Sequence, residues 1–218
     1  MSGSVLAPAR PRHRGVLHQW AFAGSAVLTC ILLLIADHAD GRLSLGLYAI
    51  CVTGLFGVSA LYHRRLWSPV ARRWMRRLDH SMIFLLIAGT YTPFAVLALG
   101  GETATILLVV LWSGALVGVT ITLCWIDAPH WLVAAVCAVL GWTAVAALPA
   151  VADSLGWGAV LLIAAGGVLY SAGAAVYALK RPDPVPAVFG FHEVFHVLVV
   201  LAALAHYLAI VVYLLPRA

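Results

Sequence analysis

The sequence predicts an all-α integral membrane protein, a seven-transmembrane-helix bundle. Of its 218 residues, 64% are hydrophobic and only 10% are charged, whereas a soluble domain carries about a quarter charged residues. Apolar runs long enough to cross a bilayer, about 20 residues each, recur between Val16 and Leu215 and are separated by short polar breaks. We therefore expect a basic N-terminal tail at residues 1–15 and a single transmembrane domain over residues 16–215.

Seven segments have the length and hydropathy of a membrane-spanning helix. They are predicted at about residues 16–36, 44–62, 78–98, 104–124, 131–151, 157–179 and 190–214. The first segment follows basic residues, as a signal peptide does, but it is long and has no convincing small-residue cleavage site, so we predict a retained helix. In the third segment, Pro93 predicts a kink because proline lacks the backbone N–H that a regular helix uses.

The distribution of basic residues predicts the orientation of the bundle. Eleven of the thirteen Lys and Arg residues fall in segments on the same side as the N-terminus. Because Lys and Arg near helix ends favour the cytoplasm, we expect the N-terminus to be cytoplasmic and the C-terminus to be outside. The net charge of +5 is thus explained by topology, and no nucleic-acid partner is expected.

Ionisable side chains inside the spans are concentrated at one depth. His63 follows the second span, Asp79 begins the third, and His192 and His196 begin the seventh. Since successive spans alternate in direction, all three of these ends lie at the cytoplasmic leaflet. Ionisable groups within a membrane are costly and usually face the bundle interior. We therefore expect these side chains to meet.

The spacing of the histidines predicts a metal site. His192 and His196 are four residues apart and share one helix face, where two imidazoles can bind the same ion. Addition of His63 gives a three-histidine Zn²⁺ site with an open fourth position, as in catalytic zinc centres. Asp79 is the candidate base for a water molecule, and Ser59, one turn before His63, is a candidate donor to an oxyanion. The alternative is that each histidine hydrogen-bonds to a neighbouring helix.

The segment His192-Glu193-Val194-Phe195-His196 also spells His-Glu-x-x-His, in which the glutamate of a zinc protease acts as a base. An intramembrane metalloprotease is therefore a further alternative, although no downstream carboxylate motif provides a third ligand. We expect Glu193 to face a neighbouring helix or the interface instead. The default for His18 and His206 is a surface or packing role.

These motifs resemble those of bacterial hemolysin III proteins, within the wider progestin and adipoQ receptor (adiponectin receptor-like) superfamily. The residues that carry the resemblance are Ser59-Ala-Leu-Tyr-His63, Leu78-Asp79-His80, Ala88-Gly89-Thr90-Tyr91-Thr92-Pro93 and His192-Glu193-Val194-Phe195-His196. The resemblance covers essentially the whole chain. It implies zinc on His63, His192 and His196, with Asp79 in contact through water, in a multi-pass protein of a bacterial plasma membrane.

Alkaline ceramidases look similar in the same pattern, so the resemblance implies a zinc-dependent hydrolase of a lipid amide or ester. Membrane lipids would be its partners, with a free fatty acid or acyl chain held inside the bundle. A membrane-lipid homeostasis factor and a non-catalytic, zinc-braced lipid sensor remain open. A pore-forming hemolysin, as the family name implies, is the other alternative.

Overall fold

The computed structural model describes residues 11–218, except for the side chain of His130, and confirms seven helices long and apolar enough to span a membrane. The helices are α1 (Val16–Ile35), α2 (Ala39–Arg64), α3 (Pro69–Leu99), α4 (Gly101–Cys124), α5 (Trp131–Leu155), α6 (Trp157–Leu179) and α7 (Phe191–Arg217). Outside these helices, the described residues include one isolated β-bridge between Val185 and Phe189. Residues 1–10 of the predicted basic tail lie outside the described residues.

The arginine-rich segment between the second and third predicted spans is largely helical, although we predicted the third span to begin only at about residue 78. α3 begins at Pro69, and the Ser68 hydroxyl caps it by accepting a hydrogen bond from the Ala71 backbone N–H at 3.3 Å. A serine cap followed by proline in the first turn is a strong helix start. Further along this extension, Arg77 Nε donates to the Leu123 carbonyl at 2.9 Å, so a basic side chain also binds the C-terminal end of α4.

Two of the spans are irregular. In α3 the α-helical pattern gives way after Pro93 to a π-helical turn at Ala95–Leu99, in keeping with the distortion predicted from this proline. In α5 a 3₁₀ segment at Thr143–Ala147 separates two α-helical parts. Pro149 lies just beyond that segment and cannot donate the backbone hydrogen bond of a continuous α-helix.

The helices that carry the predicted site residues are also the most buried ones. A larger share of the apolar segment is buried in α2, α3 and α7 than in the other four spans. Each helix packs against its neighbour in sequence, and α7 also contacts α1. Burial of α2, α3 and α7 shields their polar side chains from lipid, as the cost of exposing such groups in a bilayer requires.

Candidate metal centre and its cavity

The end of α2 and the beginning of α7 bring His63, His192 and His196 together. The Nε2 atoms of His63 and His192 are 3.1 Å apart, and one potential ligand atom from each of the three histidines lies within 4.8 Å of the others. Two nitrogens that bind one tetrahedral zinc ion at about 2.0–2.1 Å are separated by about 3.4 Å. The donor set and its spacing therefore fit a metal ion.

Asp79 and Ser59 lie beside this histidine cluster, as the sequence predicted. The Oδ2 atom of Asp79 is 3.9 Å from Nε2 of His63, which is too long for a direct hydrogen bond but leaves the two groups close enough to share a small ligand. The buried Ser59 side chain forms a hydrogen bond with Asp79. This contact between α2 and α3 holds the carboxylate next to the cluster.

The carboxylate of Glu193 has partners on both of its oxygens. Oε1 is 2.9 Å from Nε of Arg14, and Oε2 accepts a hydrogen bond from the backbone N–H of Gly190 at 2.8 Å. As the residue after His192 on a helix, Glu193 projects about 100° away from it. Its contacts match the expectation that Glu193 faces a neighbouring element, and they join the start of α7 to the N-terminal segment.

The residues just before α1 and the first turn of α1 pack directly on the histidine cluster. The ring of His18 stacks on that of His196, with centroids 3.7 Å apart and planes inclined by 10°, and His18 is only 2% exposed. Gly15 has φ +78°, and a Cβ there would come within 2.6 Å of the Cβ of His63. The sequence did not reveal this contact because an isolated histidine in an apolar run carries no spacing signal.

A cavity of about 250 Å³ extends from the cluster into the bundle. Asp79, His192 and His196 line one end, and His206 lines it further along α7. Because His206 follows His196 by ten residues, the two lie about 15 Å apart along the helix axis. Between them the wall is mainly aliphatic and aromatic, which suits an apolar chain.

The cavity reaches the outer surface of the bundle between α5 and α6. Trp142 and Val145 of α5 and Val168 of α6 all line it, and the same three side chains are 53%, 43% and 60% exposed. The indole Nε1 of Trp142 donates to the Ser171 hydroxyl at 3.0 Å, and this bond crosses from α5 to α6. The outward faces of these helices are apolar and would contact lipid in a membrane.

Seven spans around a buried three-histidine group define a multi-pass membrane protein with a candidate metal centre, and comparison with known proteins assigns its family. The family model described as Haemolysin-III related matches residues 7–207, so the chain belongs to that family. It is 29% identical over 204 residues to Hemolysin-3 of Bacillus cereus, covering 86% of this chain and 84% of that protein. It is 30% identical over 156 residues to the Hemolysin-3 homolog of Bacillus subtilis (strain 168), covering 71% and 73%.

Substitution of Glu193 tests whether this residue is structural. Glu193→Ala removes a buried carboxylate that contacts both Arg14 and Gly190, and we expect it to lower the free energy of unfolding by about 3 kcal/mol. Glu193→Gln keeps an acceptor oxygen for Gly190 but loses the charge, so its stability should be intermediate. Thermal unfolding of the purified variants in detergent measures both effects. A Gln variant and an Ala variant that are both as stable as the wild type would contradict the structural role.

Proposed function

We propose that the protein is a zinc-dependent hydrolase that cleaves an amide or ester bond of a lipid at the cytoplasmic leaflet of the plasma membrane. The observation that carries this proposal is one cavity with two chemically different parts. His192, His196, Asp79 and Ser59 line one end, with His63 beside them in the histidine cluster, and an apolar wall continues from there into the bundle. A lipid hydrolase needs such an arrangement because its substrate joins a polar reacting bond to an apolar chain.

In this proposal the side chains at the polar end of the cavity have different roles in the reaction. His63, His192 and His196 hold the ion, and the stacked ring of His18 limits the movement of His196. Bound zinc supplies a Lewis acid that polarises a carbonyl group and makes water a better nucleophile. Such reactions also need a group that accepts a proton and a donor for the developing oxyanion.

Asp79 is suited to the proton transfer, because it is the single acidic side chain among the described residues that line the cavity. Its carboxylate lies 3.9 Å from the His63 nitrogen, so a proton released beside the cluster has a nearby acceptor. The hydrogen bond with Ser59 fixes the direction of this carboxylate. Once Asp79 has taken up a proton it can itself donate to the Ser59 oxygen, and the Ser59 hydroxyl hydrogen is then free to be donated to the oxyanion of the substrate.

Access to the cavity supports a lipid substrate over a water-soluble one. The cavity meets the outer surface between α5 and α6 at side chains that are exposed and apolar or aromatic, including Trp142 and Val168. In a bilayer, an acyl chain can enter from the lipid phase at this position without leaving an apolar environment. The chain can then extend toward the histidine cluster along the apolar wall.

Turnover by the purified protein tests the hydrolase directly. Zinc-loaded protein should release fatty acid from at least one ceramide-like or phospholipid substrate, and we expect Asp79→Asn to slow this release by about 10²- to 10⁴-fold because it removes the proton acceptor. Elemental analysis should give the same zinc content for both proteins. Full zinc occupancy without metal-dependent turnover on any of these lipids would reject the hydrolase and favour the zinc-braced sensor.

The contact between His18 and His196 predicts an effect on metal affinity. His18→Ala leaves a space beside a ligand ring and should weaken zinc binding by about 10- to 100-fold, as loss of a residue that orients a metal ligand typically does. His18→Phe preserves a planar ring at this position and should retain most of the affinity. Competition with a zinc chelator measures both values. His63→Ala serves as the reference for loss of a ligand, and an affinity in His18→Ala equal to that of the wild type would contradict the prediction.

A pore is the second candidate, favoured by the name hemolysin that both relatives carry. Lytic activity would then arise from passage of solutes through the membrane and not from lipid cleavage. Dye release from liposomes that contain the purified protein distinguishes the two. Dye release that persists after zinc removal and is unchanged in Asp79→Asn would favour the pore. The hydrolase predicts instead that dye release requires both bound zinc and Asp79.

A further inference from the structure

The part of the cavity remote from the histidine cluster contains a second polar group formed by His206 and Tyr170. Both residues line the cavity, and their ring centroids are 5.7 Å apart. His206 is only 3% exposed. The Nδ1 atom of His206 and the hydroxyl of Tyr170 are buried and have no hydrogen-bond partner among the described residues. Unsatisfied polar atoms at this depth are costly, so a ligand that satisfies them would be stabilised there.

The hydrogen bond on the other side of the His206 ring defines what these two atoms can bind. Nε2 of His206 lies 3.1 Å from the carbonyl oxygen of Ile163. Because a carbonyl oxygen can only accept, Nε2 carries the hydrogen of the neutral ring and Nδ1 is an acceptor. The Tyr170 hydroxyl can donate. The two residues therefore place an acceptor and a donor on neighbouring rings in the wall of an apolar cavity. Such a pair is complementary to a group that both donates and accepts, and a hydroxyl group is the simplest of these.

The orientation of this acceptor is fixed by close packing between α6 and α7. At Gly166, a Cβ would come within 2.5 Å of Nε2 of His206 and 2.6 Å of its Cδ2. The imidazole therefore lies directly against the backbone of α6, three residues beyond Ile163. The backbone of α6 limits movement of the ring on one side, and the hydrogen bond to the Ile163 carbonyl limits its rotation. Nδ1 therefore keeps a constant direction.

The position of His206 and Tyr170 in the cavity indicates which part of the ligand molecule bears the hydroxyl group. We propose that His206 and Tyr170 form a subsite for a hydroxyl group in the middle of a lipid chain whose carbonyl end lies at the histidine cluster. The ten-residue separation of His196 and His206, about 15 Å, corresponds to an extended chain of about twelve carbons. The placement of the carbonyl end rests on the proposed function, whereas the hydroxyl subsite rests on the unpartnered atoms of His206 and Tyr170.

Binding of two fatty acids that differ by one hydroxyl group tests the subsite. Purified protein in lipid nanodiscs is titrated with 12-hydroxyoctadecanoic acid or octadecanoic acid in competition with a fluorescent fatty acid. On each protein we take the ratio of the affinity for the hydroxylated acid to the affinity for octadecanoic acid. This ratio should be about three- to tenfold larger in the wild type than in the Tyr170→Phe variant, which is the effect of one or two hydrogen bonds. Since both acids are measured on each protein, their different partitioning into the membrane cancels in this ratio.

Tyr91→Phe is the matched control. Tyr91 lines the same cavity, but its hydroxyl already has a partner in the Gly141 carbonyl, 3.5 Å away. This variant should keep the preference, whereas Tyr170→Phe and His206→Phe should lose it. The hydroxyl of 2-hydroxyoctadecanoic acid lies beside the carboxyl group. For this acid, Tyr170→Phe should not change the affinity relative to octadecanoic acid.

The outcomes separate this inference from the proposed function. If both acids displace the fluorescent probe and the preference is the same in the wild type and in Tyr170→Phe, the chain occupies the cavity but the hydroxyl subsite is wrong, as it would be if water satisfied the two atoms. If neither the fluorescent fatty acid nor the two test acids bind, the cavity does not hold an acyl chain, and the subsite and the lipid hydrolase are both contradicted. A preference lost in Tyr170→Phe and retained in Tyr91→Phe supports the subsite.

Discussion

The cost of placing ionisable side chains in an apolar medium determines how this bundle is organised. Ionisable groups on apolar helices are stabilised where another helix supplies a partner, and those of the histidine cluster and of Asp79 beside it are carried by the most buried helices, α2, α3 and α7. Ser59 with Asp79 joins α2 to α3, and His63 with His192 joins α2 to α7. Each contact satisfies a costly group and also fixes the relative position of two helices.

The same requirement explains why the N-terminal segment belongs to the site. The first turn of α7 brings a buried glutamate, Glu193, into the bundle, and Arg14 balances its charge from outside α7. Once Arg14 is in place, His18 one turn further along the chain lies against His196. The histidine cluster is therefore supported by α1 as well as by the two helices that carry its potential ligands. Such support keeps metal ligands in position before an ion binds.

Much of this arrangement could be predicted because it depends on chain direction alone. Alternating spans bring His63, Asp79 and His192 to one leaflet, and the four-residue spacing places His196 on the same face as His192. The contacts of His18 and of the pair formed by His206 and Tyr170 could not be predicted, because they depend on how helices rotate and approach one another. Gly166, which admits the His206 ring, has no distinguishing pattern in the sequence. The start of α3 was missed because arginines were interpreted only as topology signals, although arginine is also a good helix former.

The proposed function requires that His63, His192 and His196 bind one zinc ion together. X-ray absorption spectroscopy at the zinc edge tests it most directly on the purified, zinc-loaded protein. We expect nitrogen and oxygen atoms bound to zinc at about 2.0–2.1 Å, with more distant scattering from three imidazole rings that falls to two in His63→Ala. A wild-type spectrum with no imidazole or a single one, or a spectrum unchanged by His63→Ala, would contradict it.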